Sequence, residues 1–274
     1  MQRRSPKLMV TRITSASTAG VLRACVIHPS APSGLAPLVV LHGISRNADQ
    51  LVDLFRPEAE CSGRVVIVPH FEAEAWPDFQ RPSRVARPDL ALLALLTQIE
   101  AGDSGMRGPI DLFGHSGGAQ LAHRFAMLYP NRIGRLHLAA AGWYCLPDAS
   151  MPHPYGLAES HRSADTAWVR RHTEMLSIYV GLSVRLYVGA LDLGRDNSLR
   201  KTASLDRIQG RTRRDRAAHY LTSFRRAAEA LGRTPDITLT ELPSVPHDVA
   251  LAITQTGLAR LVVAAENVRL TRAS

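Results

Sequence analysis

A chain of 274 residues with 45% apolar and 21% charged side chains can bury one large core, which excludes a disordered protein or a disulfide-stapled mini-domain. Its longest strongly apolar run, Leu90 to Leu96, has seven residues, far short of the ~20 that a membrane-crossing helix needs. The formal charge of +9 is concentrated: Arg195 to Arg233 holds eleven basic and four acidic residues, so +7 of the total lies in that segment.

The basic N-terminus MQRRSPKLMVTRITS is followed by no apolar stretch, so no secretory signal is expected. Val21–His28 and Pro37–Leu41 read as strands, and Arg64–Val68 as another, stopped by Pro69. Pro109–Phe113, Arg135–Ala139, Val184–Val188 and Ile237–Leu242 follow. The middle runs are nearly all apolar, as in parallel strands covered on both faces. Helical patterns lie between them: Asn47–Glu60, Asp89–Glu100 after Pro88, Gly117–Tyr129, Asp165–Val180, Asp215–Leu231 and Val249–Glu266. Alternating strands and helices predict an α/β protein, a mostly parallel sheet with helices on both faces. One domain over 1–274 is expected, with a small cap segment at about 143–183. Cys25, Cys61 and Cys145 form no CxxC and fit reduced thiols in the cytoplasm.

In such sheets ligands bind beyond the carboxyl ends of the strands. The informative loops are therefore 42–47, 69–88, 114–118, 140–148, 189–198 and 243–248. Gly114-His115-Ser116-Gly117-Gly118 has the form GxSxG, between a strand pattern and a helix pattern. That turn projects a serine hydroxyl from the sheet edge, so Ser116 is the expected nucleophile. The flanking glycines are needed because a side chain at 114 or 118 would strike neighbouring backbone. Serine needs a base to take its proton. His247, in the loop after the last strand, is the candidate at the same edge. His115 is expected to point away, and His42 to be structural. A carboxylate must orient the base. Asp192, directly after Val184–Val188, is favoured, with Asp196 as the competitor. Oxyanion donors are expected from the backbone N–H groups of Gly117 and Ile44.

The segments LVVLHGIS, FGHSGGAQ, VGALD and VPHD, in this order over residues about 38 to 248, resemble the α/β-hydrolase superfamily. The early HG and the GxSxGG are similar to its compact branch of polyhydroxybutyrate depolymerase-like and feruloyl-esterase-like proteins. The HGGG form of many lipases is absent. The resemblance implies a serine esterase with an acyl-enzyme on Ser116, Asp192 as acid, His247 as base, and Ile44 and Gly117 at the oxyanion; the alternatives are a thioesterase, acyltransferase or peptidase on the same triad, or a catalytically silent binding protein of this fold.

Phe71, Trp76 and Phe79 lie in one long loop and Trp143 in another at the same edge, which suggests an apolar acyl or aryl pocket. Arg81, Arg84 and Arg87 could meet a substrate carboxylate. Arg213, Arg214, Arg216, Arg225 and Arg226 read as a solvated outer helix face. The expected partner is a small-molecule ester, with neither a membrane nor a nucleic acid, and the chemistry calls for no metal or cofactor.

Overall fold

A computed structural model describes residues 7–83, 85–159 and 166–264. In chain order the strands are β1 Met9–Ser17, β2 Gly20–His28, β3 Leu38–Leu41, β4 Val66–His70, β5 Ile110–His115, β6 Ile133–Ala139, β7 Ser183–Gly189 and β8 Ile237–Leu242. The helices are α1 Ala48–Ser62, α2 Pro88–Gly102, α3 Gly117–Leu128, α4 Thr166–Tyr179, α5 Ala203–Gln209, α6 Arg213–Ala230, α7 Val249–Thr256 and α8 Leu258–Val263. The strands form one sheet in the order β1-β2-β4-β3-β5-β6-β7-β8. β1, β2 and β4 pair antiparallel, and every pair from β4 to β8 is parallel.

Successive strand residues feed opposite faces, which produces two cores. Val39 and Leu41 join Leu112, Leu136 and Leu186 under α2, α3 and α6. Leu38 and Val40 join Phe113 and Tyr187 under α1, α7 and α8. This two-sided burial explains the near-continuous apolar runs of β3 and β5.

Several expectations need correction. β1 was not anticipated; its alternation of exposed and half-buried residues suits an edge strand zipped to β2. Pro69 does not stop β4, which runs to His70. The ladder to β3 ends at Val39–Ile67, so beyond it β4 pairs on one side only, where a residue without an N–H is tolerated. The closing helix is two helices broken at Gly257, whose φ of 67° lies in the left-handed region; Glu266 lies outside the described residues. α5 was also missed; Thr202 caps it by accepting from the Leu205 N–H.

The solvated arginine face is only half right. Arg214, Arg225 and Arg226 are exposed, but Arg213 and Arg216 are fully buried. Their spacing explains it. Positions 213, 216, 220, 224 and 228 recur every three or four residues, so both arginines extend the inward stripe of Tyr220, Phe224 and Ala228. Between β6 and β7 the chain makes an irregular excursion with an isolated bridge between Pro152 and Ala158, followed by α4, which packs on α3.

Candidate active site

The β5–α3 turn sets the geometry. Ser116 has φ 54° and ψ −113°, a strained conformation for a residue with a side chain, costing on the order of 1–3 kcal/mol. The turn closes so tightly that a Cβ on Gly114 would lie 2.3 Å from the Gly118 carbonyl oxygen. One on Gly118 would lie 2.3 Å from the Leu41 carbonyl oxygen. Both glycines are thus required by close backbone approach.

The order of strands brings the other loops to Ser116. β3 and β6 flank β5, and β7 and β8 follow, so the loops after β7 and β8 reach the same edge. His247 Nε2 lies 3.1 Å from Ser116 Oγ, and its Nδ1 lies 2.8 Å from Asp192 Oδ2. An ionised carboxylate only accepts, so Nδ1 carries the proton and Nε2 is left to accept from the serine hydroxyl. Asp192 is 1% exposed and Ser116 7%. Asp196 does not reach His247; it faces Arg213 at the rim, and that guanidinium holds its carboxyl well below the usual carboxylate range. Asp248 caps α7 through the Leu251 N–H.

Arg213 was missed as a site residue. Its Nη1 donates to Asp192 Oδ1 at 3.1 Å and to Asp196 Oδ2 at 2.9 Å, and its Nη2 donates to Asp196 Oδ1 and to Ser198 Oγ. Both oxygens of Asp192 are therefore engaged, one by His247 and one by Arg213. Two carboxylates around one guanidinium leave one net negative charge beside the imidazole. The spacing on α6 was the available signal.

The other histidines take varied places. His115 does not point away: its ring stacks on His247 at 5.0 Å between centroids and 26° between planes. Burial, then the charges of His247 and Arg213, hold it well below the usual histidine range, so it is a neutral wall. His42 is structural, as expected. Its Nδ1 donates to the Gly43 carbonyl and its Nε2 accepts from the Phe71 N–H, while burial lowers it to about 4. His123 accepts from the Cys145 N–H, and His137 meets the Tyr187 hydroxyl.

Gly117 opens α3, where the first N–H groups lack intrahelical partners and the helix dipole favours negative charge. The Ile44 nitrogen lies 3.4 Å from where a Gly117 Cβ would stand, so the two backbone segments adjoin.

The four aromatic candidates separate into three roles. Phe71 and Trp76 are buried in the core: Phe71 stacks on Phe79 at 5.2 Å, and Trp76 donates through Nε1 to the Val21 carbonyl. These two rings anchor the 70–87 loop to the body. Phe79 also packs there, and its Cζ approaches the Gly117 Cβ position to 3.5 Å, so it floors the turn. Trp143 lines a cavity of about 350 Å³. Arg81 lines the same cavity and pairs with Asp78, while Arg87 grips buried Asp89 with two hydrogen bonds and Arg84 lies outside the described residues. The other cavity residues, Arg124, His153, Trp168 and His172 among them, were not anticipated.

No protein-family model matches the sequence, and comparison with curated proteins finds no relative. Solved structures do match. The chain is similar to poly(aspartic acid) hydrolase-1 from Sphingomonas sp. KT-1, with 22% identity, a TM-score of 0.76, and 94% of this chain and 99% of that one covered. It is similar to a poly(3-hydroxybutyrate) depolymerase from Bordetella parapertussis, with 24% identity, a TM-score of 0.74, and 91% and 89% covered. An S-formylglutathione hydrolase from Agrobacterium tumefaciens aligns at 16% identity and a TM-score of 0.57 over 96% and 99%. The shared architecture is the α/β-hydrolase fold.

Proposed function

With the α/β-hydrolase fold as premise, we propose that this protein is a serine hydrolase that cleaves a small or medium carboxylic ester. The observation that carries the reading is the unbroken line Ser116 Oγ, His247 Nε2, His247 Nδ1, Asp192 Oδ2, with spacings of 3.1 and 2.8 Å. His247 takes the hydroxyl proton as Ser116 attacks the ester carbonyl. The tetrahedral oxyanion is held by the N–H groups of Gly117 and Ile44. Asp192 keeps the tautomer and stabilises the imidazolium. His247 then gives its proton to the departing alcohol, leaving an acyl group on Ser116. Water, deprotonated by the same histidine, releases the acid and restores the serine.

The strained φ of Ser116 supports this reading too, since such strain persists only where surrounding structure imposes it. Three free cysteines, one of them exposed, fit the reducing cytoplasm expected from composition. No helix among the described residues is long and apolar enough to cross a membrane.

Ser116→Ala should lower kcat for p-nitrophenyl acetate by on the order of 10⁴-fold or more, because the triad acts as a unit. A fluorophosphonate probe should label the native protein and leave this variant unlabelled. Near-normal hydrolysis by the variant would overturn the proposal.

A further inference from the structure

The cavity beside Trp143 holds a buried cation that no carboxylate among the described residues neutralises. Arg124, on α3, is 6% exposed. Its Nη1 donates to the Gln120 carbonyl and its guanidinium lies over the Trp143 ring at 4.2 Å. Its Nη2 is buried without a hydrogen-bond partner, and among the described residues no carboxylate pairs with it. His172, 2% exposed, lines the same cavity, and both of its ring nitrogens lack partners. Arg81 and His153 add further donors at the wall, and Asp78, the acid there, is already paired with Arg81. Trp143 and Trp168 line the wall as well.

Buried polar groups are ordinarily satisfied, and a buried charge is ordinarily paired. Two such groups left open in one cavity point to a ligand that completes them. A planar guanidinium takes a carboxylate in matching geometry. The volume, about 350 Å³, lies within the range of small-molecule pockets.

We propose that this cavity is a carboxylate-binding pocket that seats the acidic end of the ester whose carbonyl meets Ser116. The placement follows from α3. Ser116 is the N-cap of α3 and its carbonyl accepts from the Gln120 N–H, while Arg124 follows one turn beyond Gln120, so the cavity lies along α3 from the serine, which does not itself line it. Gln120 is four residues and so about 6 Å along the axis from Ser116, and its carbonyl, which Arg124 grips, points further on toward the C-terminal end. An ester with a carboxylate a few bonds from its carbonyl spans that distance. The substrate assignment rests on Ser116 being the nucleophile; the anion pocket does not.

Two of the three tryptophans line the cavity, so intrinsic fluorescence reports its occupancy. Benzoate and its neutral near-isostere benzamide are titrated into the native protein and into Ser116→Ala. Benzoate should bind about tenfold to a hundredfold tighter in both, since only the anion meets the guanidinium. Arg124→Gln should bring the two ligands within about twofold, and Arg124→Lys should keep part of the difference. The ratio of kcat/KM for a p-nitrophenyl hemiester of a dicarboxylic acid over its methyl-capped analogue should fall about tenfold or more in Arg124→Gln. Equal binding of benzoate and benzamide by the native protein overturns the pocket, and needs no variant to fold. Selective benzoate binding beside a fully active Ser116→Ala would overturn the nucleophile and leave the pocket standing. An unchanged kcat/KM ratio in Arg124→Gln, with selective binding intact in the native protein, would overturn the substrate assignment.

Discussion

Two buried arginines of this molecule live under opposite conditions. Arg213 on α6 is wholly enclosed and grips two carboxylates and a hydroxyl. Arg124 on α3 is nearly as enclosed and meets a backbone carbonyl and an indole face, and no acid among the described residues. Removing a cation from water costs several kcal/mol, and a well-placed carboxylate returns most of it. Arg213 is therefore part of the structure that holds Asp192. Arg124 keeps part of that cost as unused binding capacity, and burial lowers it to about 10. A histidine accompanies each. His247 is hydrogen-bonded to Asp192, whereas His172 lies beside Arg124 and His153, whose charges, with burial, disfavour its protonation.

The largest expected effect breaks the paired side. Arg213→Met removes the cation and leaves two carboxylates close together, one fully buried, so stability should fall by about 3–5 kcal/mol. For a chain of this size that is a drop of roughly 10 °C in Tm. kcat should fall as well, because Asp192 would be held by His247 alone. Arg213→Lys, which restores one charge without the fork, should recover part of both losses. The neighbour Arg214 pairs with Glu241 across an exposed surface, so Arg214→Met should stay within about 0.5 kcal/mol. Thermal melts and ester kinetics on the three variants test this. Equal losses at 213 and 214 would mean that burial of the pair is irrelevant.

The contrast between the two arginines was partly legible. The strand–serine–helix turn is written in five adjacent residues, and its partners sit at strand ends, where a parallel sheet must gather them. Local sequence suffices for that much. Arg213 was legible too, had the 213, 216, 220, 224 spacing been followed through the charged residues instead of stopping at the apolar ones. The aromatic loop was not legible. Phe71, Trp76 and Phe79 have similar composition and position, yet which ring anchors the loop and which floors the turn depends on contacts with β2 and α3 from far along the chain. The cavity was hidden for the same reason. Its walls come from loop 78–83, from α3 and from the excursion between β6 and β7, and no single segment announces it.

The next effect sharpens the comparison through protons. Burial, reinforced by His153 and Arg124, lowers His172 to about 3. In the unfolded chain the same ring titrates near 6.5. The folded state thus refuses a proton that the unfolded state accepts, so the stability present above pH 6.5 is lost as pH falls toward 3. At pH 4 the loss from this residue is about 3 kcal/mol, at 1.36 kcal/mol per unit. His172→Phe should flatten the fall between pH 7 and pH 4 by about that amount in urea melts. An unchanged slope would place His172 in contact with water or a counter-charge.

The smallest effect has the opposite sign to the first. Arg124→Met keeps a long apolar stem and removes the charge. The variant gives up a hydrogen bond to the Gln120 carbonyl, about 1 kcal/mol, and a cation–π contact with Trp143, about 1–2 kcal/mol. It recovers the desolvation of an unpaired ion, several kcal/mol. The recovery exceeds the losses, so stability should rise by about 1–2 kcal/mol, seen as a few degrees in Tm. A gain on deleting a buried arginine is what a residue retained for binding predicts, since sites that await a ligand are held at a cost in stability. A fall in Tm instead would show that Arg124 is satisfied within the fold, and the two arginines would then differ only in which groups surround them. Benzoate should narrow the gap from the other direction, raising the Tm of the native protein while leaving Arg124→Met where it is.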